Sequence, residues 1–209
     1  MNRKIKVLIA DDHAVVRMGL ASLLSSEKDI AVVGQCEDGE AAVREAERLH
    51  PDVVIMDLVM PKKDGVVATD EIHRAHPEIR IVLLTTFGTS DRIARALEVG
   101  ASGALLKSAD ESLLIDAVRS VAAGREFIDE NVRQLFADDP PAKDLTPRQR
   151  TILEALAAGR GTKEIAAELS IQTDSVREHI LAILAKLGAA NRVEAVAIAL
   201  RKHLLGTRQ

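Results

Sequence analysis

Side chains with complementary chemistry follow short apolar runs in the N-terminal part of the chain: Asp11, Asp12, Asp57, Thr85 and Lys107. Transfer of a phosphoryl group to an aspartate needs a nucleophilic carboxylate, a divalent metal ion, a fixed positive charge and a hydroxyl donor. These residues supply everything except the metal, and carboxylate oxygens are ligands that Mg²⁺ prefers. Single aspartates at strand ends often only cap turns, but four strand ends with matching chemistry favour phosphoryl transfer to Asp57 beside a Mg²⁺ site.

The elements that must position these side chains are five apolar runs, each followed by a turn and, in most cases, a segment of helical period. The runs are 7–10, 30–33, 53–56, 81–84 and 104–106. Such continuous runs are typical of parallel strands covered by helices on both faces. We therefore expect residues 1–124 to form an α/β domain with a doubly wound, five-stranded parallel sheet, whose functional residues gather at the carboxyl ends of the strands.

The mixed pattern stops after Gly124, and residues 125–143 are expected to form a linker. A short helix at 127–136 leads into an Asp-Asp-Pro-Pro sequence at 138–141, which cannot continue a helix. From 144 to 209 the period is helical only, which predicts a small all-α domain. Its expected helices are 147–158, 163–169, 173–187 and 191–204.

Charge and composition restrict the partners. Residues 143–209 carry a net charge of +4 and the rest carries −8, so the C-terminal part is the candidate for nucleic acid. With no Trp, no Tyr and three Phe, stacking on single-stranded bases is disfavoured and duplex DNA is favoured. No apolar run is long enough for a membrane span. A single cysteine forms no internal disulfide, which predicts a cytoplasmic location.

Residues 5–124 resemble the receiver domain of response regulators, through Ile-Ala-Asp-Asp-His at 9–13, Ile-Met-Asp-Leu-Val-Met-Pro-Lys-Lys-Asp-Gly at 55–65, Thr85 and Leu-Leu-Lys at 105–107. The resemblance implies that Asp57 accepts phosphate from a cognate sensor histidine kinase. It implies a Mg²⁺ site formed by Asp11, Asp12, Asp57 and the backbone carbonyl of Val59. It also implies that Thr85 and Lys107 bind the phosphoryl oxygens.

Two positions depart from the receiver pattern. Ala104 stands where many receivers carry an aromatic residue that changes rotamer on activation, and Ser108 replaces a frequent proline. Phe87 is an alternative aromatic candidate. Without the usual aromatic residue, we expect movement of a loop or of the fourth helix to carry more of the signal.

Residues 145–204 resemble the LuxR-type helix-turn-helix domain of the NarL/FixJ response regulators, in the segments 145–150, 156–159, 163–166, 175–180 and 186–188. The resemblance implies that the helix at 173–187 enters the major groove of promoter DNA. Thr173 is expected to cap this helix, and Arg177 is the leading base or phosphate contact. The candidate DNA-binding residues are Lys163, Thr173, Arg177, Glu178, Leu181, Lys186 and Arg192.

The sequence thus predicts a two-component response regulator, not an enzyme, in which phosphorylation controls homodimerisation and DNA binding. One alternative is a phosphatase with an aspartyl nucleophile, but such enzymes resembling this strand end carry an acid two residues later, where this chain has Val59. Another is a ligand-sensing LuxR-type regulator. Its sensory half would need an aromatic pocket, and only Phe87 and Phe127 precede the linker.

Overall fold

The computed structural model describes residues 3–85, 90–138, 145–202 and 204–205. The chain divides into two compact units, Met1–Asp139 and Pro140–Gln209. Phe87, the alternative aromatic candidate, lies outside the described residues. Among the helices within those ranges, none has both the length and the apolar character needed to cross a bilayer.

The first unit contains a six-stranded parallel sheet in the order β2-β1-β3-β4-β5-β6. The chain order reverses between β1 and β3, which is where doubly wound sheets bind their ligands. Ala10 and Met56 are paired at the ends of these two strands, so the next residues, Asp11 and Asp57, come to the same edge. The strands are β1 (Ile5–Ala10), β2 (Ile30–Cys36), β3 (Val53–Met56), β4 (Arg80–Thr85), β5 (Gly103–Leu106) and β6 (Phe127–Ile128).

Helices cover both faces of the sheet, which explains why its strands are almost continuously apolar. One core cluster joins the sheet to α2, α3, α4 and α6, and the other joins it to α1 and α5. These helices are α1 (Ala14–Ser26), α2 (Gly39–Leu49), α3 (Gly65–Ala75), α4 (Ser90–Glu98), α5 (Glu111–Ala122) and α6 (Glu130–Asp138).

The sixth strand corrects the prediction of five. β6 pairs in parallel with β5, with Phe127 opposite Gly103 and Ile128 opposite Ala104. Two residues are too few to show the alternation that reveals a strand in sequence. The described part of the segment 125–143 therefore contains β6 and α6. The helix expected at 127–136 begins only at Glu130, and its Val132 is fully buried in the receiver core.

The described part of the second unit contains four helices and no strand: α7 (Pro147–Ala157), α8 (Thr162–Glu168), α9 (Thr173–Leu187) and α10 (Arg192–Arg201). Val176, Ile180 and Ile183 form the buried stripe of α9 in one core that all four helices share. A reciprocal capping box starts α7, in which the Thr146 hydroxyl accepts from Gln149 N at 3.2 Å and Gln149 Oε1 accepts from Thr146 N at 3.0 Å. The shared core, rather than this cap, holds α9 against its neighbours.

Candidate phosphoacceptor site and nucleic-acid interface

The acidic side chains at the carboxyl edge of the sheet meet as predicted from their strand positions. One ligand atom from each of Asp11, Asp12, His13 and Asp57 lies within 4.8 Å of the others. Asp57 and Asp11 are 4% and 1% exposed, whereas the side chain of Asp12 is about one-third exposed. His13 is the addition to the predicted set, with its Nδ1 2.7 Å from Asp12 Oδ1.

Lys107 supplies the positive charge of this edge. Its Nζ lies 2.7 Å from Asp57 Oδ2 and 2.7 Å from Asp11 Oδ2. The Lys107 backbone N–H donates to the Thr85 carbonyl at 2.6 Å, which places the fully buried Thr85 beside it at the same edge. Val59 N–H approaches Asp57 Oδ1 at 3.4 Å, while the role of the Val59 carbonyl stays a prediction. The edge thus unites a nearly buried carboxylate, a cation and a hydroxyl residue.

The electrostatics of the edge are those of a site that needs more positive charge. Burial raises the pKa of Asp57, and the nearby Asp11 adds to the rise, against the opposing contact with Lys107. Burial alone would lower the pKa of Lys107, but its contacts with the carboxylates of Asp11 and Asp57 outweigh that and raise it. One ammonium therefore faces two buried carboxylates and the partly exposed Asp12.

The donor set fits Mg²⁺. It consists of hard carboxylate oxygens, and Asp11 Oδ2 is buried, in contact with Lys107 but without a hydrogen bond of good geometry. Mg²⁺ is usually held by one or two carboxylates together with water, and Asp12 leaves the cluster partly open to solvent. Asp11, Asp12 and Asp57 are thus the residues that could hold this ion.

The raised pKa of Asp57 predicts a specific pH dependence of stability in magnesium-free buffer. Because the pKa of a carboxyl is raised on folding, its stabilising contribution is present at low pH and is lost as pH rises through the folded-state pKa. Asp57→Asn should therefore unfold at a higher temperature than wild type at neutral pH. Thermal unfolding at several pH values should show this difference narrowing as pH falls. A difference that widened would contradict the assignment.

A second candidate surface lies on α9 and the start of α10. Arg177, Leu181 and Arg192 line one groove of about 410 Å³ together with Ile180, Leu184 and Asn191. Leu181 is 66% exposed, although it is a large apolar side chain. Arg177 pairs with Asp174 on the preceding turn, with 2.6 Å between Nη1 and Oδ1. This groove combines two cations with an exposed apolar residue.

The other residues predicted to contact DNA differ in their exposure and in their hydrogen bonds. Lys163 on α8 and Glu178 on α9 are exposed, and Thr173 is partly buried at the first position of α9. The N-cap of α9 is Gln172, without a side-chain cap hydrogen bond, so Thr173 is not the cap that we expected. Lys186 Nζ donates to Gln149 Oε1 at 2.9 Å, which ties it to the start of α7.

Arg92 on α4 is a further residue at this site, and its position is not predictable from the sequence. Its Nη2 donates to the Leu58 carbonyl at 3.0 Å and lies 3.1 Å from Asp64 Oδ2. Leu58 directly follows Asp57, and Asp64 caps α3 by accepting from Val67 N. Arg92 therefore connects α4 to both ends of the loop after the acceptor. No sequence signal separates it from an ordinary charged residue on an amphipathic helix.

Both parts of the chain match known protein families. Residues 7–119 match the family described as response regulator receiver domain, and residues 143–199 match bacterial regulatory proteins of the luxR family. The chain is 39% identical to the transcriptional regulatory protein LiaR of Bacillus subtilis (strain 168), over 96% of this chain and 99% of that protein.

Solved structures of RcsB are also similar to this chain. One, from Salmonella enterica serovar Typhimurium, is bound to promoter P1flhDC in the presence of the phosphomimetic BeF3⁻. It has a TM-score of 0.70 and 28% identity and covers 95% of this chain and 99% of its own. Another contains two RcsB dimers bound to two parallel DNAs, with a TM-score of 0.69, 27% identity and the same coverage. The chain therefore belongs to the NarL/FixJ-type response regulators, the two-component transcriptional regulators that join a receiver domain to a LuxR-type DNA-binding domain.

Proposed function

We propose that Asp57 accepts a phosphoryl group from a sensor histidine kinase and that this modification controls homodimerisation and binding to promoter DNA. The observation that carries the proposal is the position of the Asp57 carboxylate. It is nearly buried, lies 2.7 Å from the Lys107 ammonium and stands beside two further carboxylates. A cytoplasmic location belongs to the same proposal.

In the proposed reaction, an Asp57 oxygen forms a bond to phosphorus while the bond from phosphorus to the kinase imidazole nitrogen breaks. Lys107 offsets the negative charge of the transferred group, and the Thr85 hydroxyl donates to one of its oxygens. Asp11, Asp12, Asp57 and the Val59 carbonyl would hold Mg²⁺, which when bound supplies additional positive charge to the phosphoryl oxygens. Strand ends fix all these groups, so little rearrangement precedes transfer.

Phosphorylation itself can be tested with a small acyl phosphate as donor. Intact-mass measurement should show one phosphoryl group on wild type in the presence of Mg²⁺, none after chelation, and none on Asp57→Asn in either buffer. An equal mass increase on Asp57→Asn would place the acceptor elsewhere and would sink the proposal.

Slow loss of the phosphoryl group, rather than enzymatic turnover, is part of the proposal. A hydrolase that uses an aspartyl nucleophile needs an acid or base to activate the attacking water. Two residues beyond Asp57 the chain carries Val59, an apolar side chain that is 50% exposed. The side chain at this position cannot take a proton from water, which favours a lasting signal over turnover.

Position 104 carries alanine rather than an aromatic residue, so the proposed signal needs another route away from Asp57. Arg92 offers one. It holds the carbonyl of the residue next to Asp57, so a shift of this loop changes its two contacts. Ile93 and Ala96 of α4 share a core cluster with Val132 of α6, the last helix before the second unit. Movement of α4 would thereby reach the chain segment that leads to the DNA-binding domain.

Arg92→Gln should separate phosphorylation from its consequence. We expect phosphate incorporation close to that of wild type, but a phosphorylation-induced gain in DNA affinity that is smaller by about tenfold, a typical size for coupling between sites. Arg95→Gln is the matched control because Arg95 is an exposed residue of the same helix. A full gain in affinity in the Arg92 variant would rule out this route.

The DNA interface is proposed to be the groove lined by Arg177, Leu181 and Arg192, with α9 in the major groove. Arg177 would exchange its contact with Asp174 for a base edge or a phosphate. Lys163, Lys186 and Arg192 would contact phosphates, and Lys186 would first give up Gln149. Thr173 and Glu178 lie on the same helix, and Glu178 would have to meet a cytosine amine or stay clear of phosphates.

Arg177→Ala should weaken DNA binding by about tenfold. The slope of log affinity against log salt concentration should become shallower by about one, because one fewer counterion is released on binding. Receiver phosphorylation should not change. Arg201→Ala provides a control for loss of an exposed arginine from the same unit. Binding isotherms at several salt concentrations measure both effects, and unchanged affinity and slope in Arg177→Ala would remove the residue from the interface.

Dimerisation is expected because the DNA-binding unit is small. One helix-turn-helix unit makes few base contacts, so useful affinity normally comes from two copies on adjacent half-sites. The similar structure with RcsB dimers on DNA supports the same arrangement here. Sedimentation with and without the acyl phosphate should show a monomer-to-dimer shift in wild type alone and none in Asp57→Asn.

A further inference from the structure

Two histidines and a glutamate meet at the edge of the sheet opposite to Asp57, where β3 and β4 begin. The rings of His50 and His76 stand edge to face, with 5.2 Å between their centroids and 88° between their planes. His76 Nδ1 lies 3.6 Å from Glu78 Oε1. One potential ligand atom from each of the three residues lies within 4.8 Å of the other two.

The two histidines meet because each one ends one of two neighbouring helices. His50 is the C-cap of α2 and His76 is the C-cap of α3, and each is followed by a proline. The residue before a proline disfavours helical backbone, so both helices stop there. Because α2 and α3 pack side by side, their two C-terminal imidazoles become neighbours.

The backbone at His50 lies in a region that residues with a side chain seldom adopt. His50 adopts a left-handed conformation, with φ 43° and ψ 64°, which glycine and asparagine reach at lower cost. An imidazole is thus held next to His76 at a position where the backbone alone would favour glycine.

The electrostatic environment favours a cation. The carboxyl ends of α2 and α3 both point their last carbonyls toward this edge, and helix C-termini attract positive charge. Lys6 already uses this preference, since its Nζ donates to the Leu49 carbonyl at 3.0 Å. The nearby Asp52 is paired with Arg3 at 2.6 Å, whereas Glu78 places an oxygen 3.6 Å from His76 Nδ1.

We propose that His50, His76 and Glu78 bind a divalent transition-metal ion, for which Zn²⁺ is the probe. Two imidazole nitrogens, one carboxylate oxygen and a water complete a tetrahedral zinc site. Donor atoms around zinc stand about 3.4 Å apart, given bond lengths of about 2.1 Å, so small side-chain rotations close the set. Mg²⁺ prefers all-oxygen ligands and does not compete here. The ion joins the ends of α2 and α3, independently of phosphorylation at Asp57.

The test is calorimetric titration of Zn²⁺ into the untagged full chain, in buffer that contains millimolar Mg²⁺ as a competitor for the acidic cluster. Wild type should bind one zinc ion, and zinc should raise its unfolding temperature. In His50→Gly, zinc affinity should fall at least about tenfold. Without zinc, the unfolding temperature of this variant should equal or exceed that of wild type, because glycine adopts the left-handed backbone conformation without strain. His76→Ala should lose zinc affinity as well.

His179→Ala, in the other compact unit, is the matched control and should bind zinc as wild type does. Equal zinc affinity in His50→Gly and wild type would overturn the proposal. So would loss of the zinc site in Asp57→Asn with His50 intact, because the ion would then belong to the acidic cluster. Absence of saturable binding at micromolar zinc in wild type would overturn it too.

Discussion

Replacing Gly65 with alanine should destabilise the receiver by about 3 kcal/mol and abolish phosphate incorporation at Asp57. A Cβ at this position would lie 2.1 Å from the Asp57 backbone oxygen and 2.8 Å from Leu58 Cα. Both neighbours are backbone atoms, so the overlap cannot be relieved by turning a side chain. The chain must shift where Asp57 is positioned against Lys107, and denaturant unfolding together with intact-mass measurement would record both losses.

Gly19→Ala is the matched control for this change. Gly19 lies inside α1, and a Cβ there would meet nothing within 4 Å. Alanine should therefore raise stability by up to about 1 kcal/mol through helix propensity and leave phosphorylation intact. Similar stability of Gly65→Ala and wild type would show that the close approach between α3 and the acceptor backbone is wrong.

Lys107→Met should lower stability more than any other single change at the acidic edge. Without its ammonium, the buried carboxylates of Asp11 and Asp57 lose the cation that lies 2.7 Å from each. Removing one partner of a buried ion pair costs about 3–5 kcal/mol, so the variant should be strongly destabilised in magnesium-free buffer. Transfer of phosphate from an acyl phosphate should slow by about a hundredfold, the size expected for losing one charge-stabilising donor.

Two further measurements distinguish the loss of the Lys107 charge from a general loss of stability. Added Mg²⁺ should recover more stability in Lys107→Met than in wild type, because the ion replaces part of the missing positive charge. Lys28→Met, which removes an exposed lysine, should change neither unfolding nor phosphorylation. A Lys107 variant with wild-type stability in the absence of Mg²⁺ would contradict the charge balance described for this edge.

The acidic edge could be predicted from sequence because strand order alone determines it. Once the runs before Asp11 and Asp57 are interpreted as adjacent parallel strands, their next residues must share an edge. The same argument places Thr85 and Lys107, since Thr85 pairs with Leu106 at the ends of β4 and β5. None of these placements depends on the details of a loop.

Contacts that depend on loops and backbone atoms could not be predicted in this way. Arg92 bonds to a carbonyl of the loop after Asp57, and the position of that carbonyl follows from the folded loop rather than from residue types. Lys186 resembles a free phosphate-binding lysine in sequence, yet it donates to Gln149 from a distant helix. For His50 and His76, the shared His-Pro sequence at two helix ends was a usable signal.

Control of DNA binding through Asp57 is tested most directly by the affinity of the whole chain for duplex DNA with and without beryllofluoride and Mg²⁺. The DNA would be a sequence selected from a random library by beryllofluoride-treated wild type, and the comparison variant is Asp57→Asn. Wild type should gain affinity by about tenfold or more, and Asp57→Asn should gain none. An equal gain in both proteins, or no gain in wild type, would contradict control of DNA binding through Asp57.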